Sequence, residues 1–319
     1  MGKRWLFFAV ALFVGVTSAI AQEKGGGEEN LIPPPPKDAL KYTIKVEKFA
    51  NESGWSGQWR IGRGMTTVMI DMLNKSGWFI VLGDNEMRGA AMKEQDFAAS
   101  GRVIHGKRTP KMGRMTPAQL ILRGSITNVQ ESGSMHGGIN IMGINVGGGS
   151  RSAEINFTIY IINAETGQVV ASKSVVGRSG ERGFRLGYYG SALGGLSGMF
   201  GGTEKDNVME AAENAIGKAI RFMVQQLDNI PWEGTVVLVK GNKVIINRGS
   251  REGVKPGRIF KVGSVEQIVD PDTGEVLDSE MTEVGRVKVT KVKKKISYAV
   301  PIAGGKKIRR GMSVFPLDR

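Results

Sequence analysis

Two histidines, 30 acidic residues and no cysteine are the stock from which a catalytic or metal site would have to be built in this 319-residue chain. His105 and His136 stand apart, one in a basic stretch and one beside glycines, and neither has a second ligand at metal-binding spacing, so both read as surface histidines. The segment GRGMTT, from Gly62, has the glycines of a phosphate loop without its lysine or its spacing. Asp270 to Asp278 gathers four carboxylates. Their order is not that of a calcium loop, and a turn at Asp272-Thr273-Gly274 accounts for them. No nucleophile, base and orienting residue fall together. The expectation is a protein that is not an enzyme and holds no cofactor and no metal.

What could act instead is charge and surface. Lys and Arg outnumber Asp and Glu by 44 to 30, a balance that suits nucleic acid, anionic lipid or an acidic partner without choosing among them. The first residues narrow the choice. Lys3 and Arg4 precede an apolar run from Trp5 to Val16, and Ala19 and Ala21 follow as an A-x-A cleavage site. This pattern predicts a signal peptide over residues 1–21 with Gln22 as the first mature residue. An exported protein is not expected to meet nucleic acid. Without cysteine, neither a disulfide scaffold nor a lipid-linked cysteine is expected. No later run is apolar and long enough for a spanning helix, so any crossing of a membrane would use β-strands closed into a barrel.

The elements follow from periodicity. Residues 22–40, with EKGGGEEN and the prolines 33–36, predict an extended linker without packed structure. Tyr42–Phe49 alternates as a strand, with Ile44 and Val46 on one face, and a loop of small and polar residues follows, holding Trp55 and Trp59. Met65, Val68, Met69, Met72 and Leu73 have helical spacing, stopped by Gly77. Trp78–Leu82 reads as a short buried strand. A second helix begins at an Asp84 cap, and a strand runs through LILRGSITNV. Ile155, Phe157, Ile159 and Ile161 alternate in a hairpin that turns at Glu165-Thr166-Gly167. Val208, Ala212, Ala215, Ile216, Ala219, Met223 and Leu227 form the buried stripe of a long helix. This order predicts an α/β layer fold over 41–230, a mixed sheet with flanking helices. Beyond Pro231-Trp232 the chain breaks into short strands and glycine turns, predicting a small all-β barrel or sandwich over 231–319. That part carries 18 Lys and Arg against 10 Asp and Glu.

From about Tyr42 to Ile230 the chain resembles the CsgG-like curli production assembly/transport family. The likeness lies in LNKSGWFIVLGDNEM, LILRGSITNVQES, INFTIYIINAETGQVVASKSV and GFRLGYYG. The resemblance implies a ring-forming homo-oligomer in the outer membrane, facing the periplasm, that exports protein substrates with the help of periplasmic accessory proteins. It also implies two β-hairpins from each protomer to a shared barrel, here within Gly133–Gly149 and Gly177–Gly202. Ile139, Ile141, Ile144 and Val146 alternate with asparagines in the first, and Phe184, Leu186 and Tyr188 alternate in the second, as lipid-facing residues do. The first arms are shorter than the 9–11 residues or so of a spanning strand. Either flanking residues join a membrane-inserting hairpin, or the stretch is a glycine-rich periplasmic loop. The family's channel narrows at a loop of aromatic and amide side chains, and by residue type Trp55, Gln58 and Trp59 are the counterparts. A tryptophan packed on the domain surface is the other reading of that loop.

Two features depart from the family. The lipid-anchoring cysteine is missing, and the segment from Glu233 onward is additional. Within it, GNKVIINRGSREGVKPGRIFKV resembles the C-terminal barrel of flagellar assembly protein T. The same soluble fold also serves lipoprotein activators of cell-wall synthases. A periplasmic accessory protein, bound to a flagellar basal body or a cell-wall synthase, is therefore the alternative function.

Overall fold

Tyr42, Thr43, Ile44 and Val46 are buried on both faces of one strand, with Lys45 half-buried among them, a pattern that suits the inside of a sheet. The computed structural model describes residues 31–57, 60–134, 139–141, 144–146, 150–180, 185–186, 207–272 and 276–317. Its first elements are β1 (Leu31–Ile32), β2 (Tyr42–Val46), β3 (Ala50–Asn51), α1 (Ile61–Ser76), β4 (Phe79–Leu82) and α2 (Asn85–Ala99). Next come β5 (Leu120–Ser134), β6 (Ile139–Ile141), β7 (Ile144–Val146), β8 (Ser150–Asn163), β9 (Val169–Arg178), β10 (Arg185–Leu186) and α3 (Asn207–Gln226). The chain ends in β11 (Gly234–Lys240), β12 (Lys243–Ile246), β13 (Ile259–Val269), β14 (Val276–Val292), β15 (Ser297–Ala303) and β16 (Ser313–Pro316).

The predicted α/β layer fold is present. The sheet runs β4-β2-β5-β8-β9, with β3 also on β5. It is mixed: β2 is parallel to β4 and β5, while β5, β8 and β9 are antiparallel to one another. α1 ends as its sequence dictates, at Gly77 in the left-handed conformation with φ 74°. Asp84 caps α2 by accepting from the Met87 N–H at 2.9 Å. Ile155, Phe157, Ile159 and Ile161 are all buried on the inner face of β8. α3 packs there and on β9 with its predicted stripe buried. It comes close because Gly177 on β9 has no side chain. A Cβ there would lie 2.0 Å from the Ala211 carbonyl oxygen and 2.5 Å from the Ala215 nitrogen.

Of the two all-β architectures left open by the sequence, the structure has the barrel. It closes in the order β11-β12-β15-β14-β13-β16, with Val236, Val244, Ile246, Phe260, Val262, Val287, Val289, Ala299 and Val314 inside. The residue that leads into it is packed on its core. Trp232 is buried and stacks on Phe260 at 5.5 Å between ring centroids, with the Arg248 guanidinium 5.9 Å from the indole. Burial pulls the Arg248 pKa below its ordinary value, opposed by the Glu252 and Glu233 carboxylates.

Two expectations are corrected. Residues 31–40 do not run free: Ile32 and Leu40 are buried, the Pro33 carbonyl accepts from the Trp78 indole N–H at 2.6 Å, and the Glu252 carbonyl accepts from the Lys41 N–H at 3.0 Å. A proline run lacks the periodicity that betrays packing, yet its free carbonyls remain good acceptors. The segment Trp78–Leu82 is not fully buried either. β4 is the sheet's edge, and only Phe79 in it is buried.

Candidate functional site

β5 and β8 are far longer than the sheet that holds them. β9 keeps pace with β8 as far as the pair Arg178–Glu154 and there leaves it. The last contact is made by Ser179, whose N–H donates to the Ala153 carbonyl at 2.9 Å while its hydroxyl accepts from the Ala153 N–H at 2.8 Å. The β5–β8 ladder continues beyond that point through Ser132–Ser152, Gly133–Arg151 and Ser134–Ser150. A two-stranded ribbon thus emerges from the sheet.

Between β5 and β8 in the chain, β6 and β7 pair antiparallel, Ile139 with Val146, Asn140 with Asn145 and Ile141 with Ile144. Directly opposed residues of an antiparallel pair share a face. The register therefore places Ile139, Ile141, Ile144 and Val146 on one face of the hairpin and Asn140 with Asn145 on the other. Residues 135–138 lie between β5 and β6, and 147–149 between β7 and β8.

The loop after β2 meets the foot of the ribbon. β3 pairs with β5 at Ala50–Ser125 and Asn51–Ile126, and the Glu52 N–H donates to the Ile126 carbonyl at 2.9 Å. Asn51 then organises the turn. Its Oδ1 accepts from the Ser53 hydroxyl at 2.7 Å, and its Nδ2 donates to the Trp55 carbonyl at 2.9 Å. The turn delivers the half-buried Trp55 to β5, where Nε1 donates to Glu131 Oε1 at 2.7 Å. Glu131 opposes Ala153, at the place where β9 has left. Loop and ribbon are thereby tied together.

Of the residues singled out in the sequence, Trp55 stands at this junction, and Gln58 and Trp59 lie outside the described residues. The four apolar residues of the first hairpin fall in β6 and β7. Leu186 lies in β10, whose backbone pairs parallel with β1, Leu186 opposite Ile32. Phe184 and Tyr188 lie outside the described residues, as does His136. The exposed His105 stands in the loop before β5. Sequence reasoning missed Asn51 and Glu131; 76 positions separate Glu131 from Trp55, and no local pattern joins them. Among the described residues no group of three or more His, Cys, Asp and Glu could hold a metal ion. No described helix is long and apolar enough to cross a membrane.

A family model, that of the curli production assembly/transport component CsgG, matches residues 32–255. The matched segment takes in the whole sheet, the ribbon and the first two strands of the barrel. No curated protein matches the chain. Among the solved structures similar to it are three of low identity. A hypothetical protein of Chlamydia trachomatis is 10% identical over 58% of this chain and 96% of its own, with a TM-score of 0.32. The PelC dodecamer of Paraburkholderia phytofirmans is 13% identical over 59% and 92%, with a TM-score of 0.28. The LpoB C-terminal domain of Escherichia coli is 15% identical over 43% and 83%, with a TM-score of 0.25. Likenesses this loose assign neither an assembly nor a partner to the chain.

Proposed function

The chain belongs to the family of the curli production assembly/transport component CsgG, a family of envelope proteins, and from that premise we propose that it is a subunit of an oligomeric outer-membrane channel that exports protein substrates. It reaches the envelope through a signal peptide over residues 1–21 and works without enzymatic chemistry. The observation that carries this reading is the β6–β7 register, which sorts Ile139, Ile141, Ile144 and Val146 from Asn140 and Asn145. One apolar face and one polar face are what a barrel wall between lipid and a wet lumen requires. The ribbon also relieves the shortness of the arms. Past Glu131 and Ala153, where β9 no longer covers β8, β5 and β8 stay paired as far as Ser134 and Ser150, which adds strand on either side of the hairpin. Several protomers would have to contribute hairpins, since two such strands leave open edges that hydrocarbon does not tolerate. In such a ring Trp55, Gln58 and Trp59 line the narrowest part of the passage, and the Trp55–Glu131 bond holds their loop at the root of the wall.

The closed, basic barrel of β11 to β16 favours a second reading. Its resemblance to flagellar assembly protein T, and a division of the chain near Pro231, suit a periplasmic accessory protein that binds an envelope machine through that barrel. Fractionation decides between the two. A channel subunit stays with outer membranes through a high-salt wash, because its attachment is apolar. A basic peripheral protein is released, because salt screens its attachment.

A further inference from the structure

The outward face of β15 is apolar in a barrel whose surface is otherwise rich in charge. Ser297 and Ala299 point inward and are buried, so Tyr298, Val300 and Ile302 take the alternate, outward positions. Ile302 is the extra residue of a β-bulge opposite Arg286 and Val287 and is 50% exposed. The stripe widens towards β12 and β11. Ile245 opposes Tyr298, Leu238 opposes Ile245, and a bulge after Val236 leaves both Val237 and Leu238 exposed.

Lysines flank this stripe. From β12, Lys243 Nζ lies 6.0 Å from the centroid of the Tyr298 ring, and from the end of β14, Lys293 Nζ lies 5.7 Å from it. Lys288 opposes Val300 and Lys291 opposes Tyr298, both exposed, and the turn after β14 adds Lys294 and Lys295. None of these six forms an ion pair with another described residue.

We propose that the β12–β15–β14 face docks on the anionic phospholipid headgroups of a membrane surface. The face is a sheet surface flanked by lysines, compact point charges that suit a fluid array of phosphates better than one bidentate anion. An aromatic and aliphatic strip beside them suits the headgroup boundary, where tyrosine and short apolar side chains settle while lysines reach the phosphates. Apolar contact and a polybasic fringe are also the two weak signals that together make peripheral attachment stable. A second copy of this face is excluded as occupant by its own charge. The proposal does not rest on the channel reading, since these residues belong to the barrel and not to the hairpin.

Flotation with lipid vesicles tests it, using the full mature chain carrying Ile141→Arg so that the hairpin contributes no insertion. This chain should float with vesicles of phosphatidylcholine and phosphatidylglycerol at low salt, leave them at high salt, and ignore vesicles of phosphatidylcholine alone. Combining Lys288→Glu, Lys291→Glu and Lys293→Glu should weaken the partition by more than about a hundredfold. The corresponding glutamine variants, which repel nothing, should lower it less but measurably. Ile302→Ser should reduce binding at every salt concentration at which the parent chain still floats. Equal binding to neutral vesicles, or undiminished binding of both lysine variants, would overturn the proposal. So would retention of polyglutamate by a chain that ignores anionic vesicles, which would assign the face to an acidic protein. Failure here leaves the salt-resistant membrane attachment of the unmodified chain untouched, so the two readings fail separately.

Discussion

The indole nitrogen of Trp55 donates to the Glu131 carboxylate at 2.7 Å, tying the loop after β2 to the strand that leaves the sheet as a ribbon. The contact is exposed and salt-accessible, so its energetic worth is small. Its consequence is positional: with the β3–β5 pairing, it holds the loop at the ribbon's foot. Trp55→Phe removes the donor and keeps most of the packing, and Glu131→Ala removes the acceptor. Each should cost no more than about 1 kcal/mol, and the double variant should reveal a coupling of about 0.2–1 kcal/mol in denaturant melts of the mature chain. Strict additivity would mean that the bond does not hold the loop.

A larger effect is expected at Gly177. A Cβ at this position would lie 2.0 Å from the Ala211 carbonyl oxygen, and helix backbone cannot give way as the tip of a side chain can. Gly177→Ala should therefore push α3 off β9 and destabilise the protein by about 1–3 kcal/mol. An unchanged melting temperature would show that the helix is not seated as closely as described.

Tyr42 couples the first sheet strand to the end of α3. Its hydroxyl donates to the Ile230 carbonyl at 2.6 Å and lies 3.4 Å from that of Leu227. Tyr42→Phe keeps the ring and leaves those carbonyls without this donor, at an expected cost of about 1 kcal/mol. Stability equal to that of the parent in urea titrations would place the loss entirely on solvent.

Much of the sheet was legible before the structure, because single-period signals specify it. The stripe from Met65 to Leu73, the Asp84 cap, the turn ending at Gly167 with φ 75°, and the alternation from Ile155 to Ile161 each arise within a few residues. What stayed hidden is non-local. That the barrel closes depends on β11 pairing with β16, Gly234 opposite Val314, and no local pattern marks such a pair. The packing of residues 31–40 depends on Trp78 and Arg258 reaching their backbone, at the Pro33 and Asp38 carbonyls, although proline-rich composition alone predicted a free linker. The site divides the same way. The alternation of isoleucine and asparagine in the glycine-rich stretch was visible in the chain, whereas Glu131 became a candidate only once β5 was seen to outrun β9.

The channel reading depends on which face of the β6–β7 hairpin meets lipid, and two neighbouring residues decide it. Ile141 and Asn140 fall on opposite faces in the observed register. An arginine on the lipid face costs roughly 2–4 kcal/mol near the bilayer midplane and less near its interfaces, and a ring repeats that cost in every protomer. Ile141→Arg should therefore abolish heat-resistant oligomers in detergent extracts of outer membranes. Asn140→Lys should leave those oligomers intact and change their single-channel conductance. Oligomers of Ile141→Arg as abundant as those of the parent would contradict a membrane-embedded hairpin.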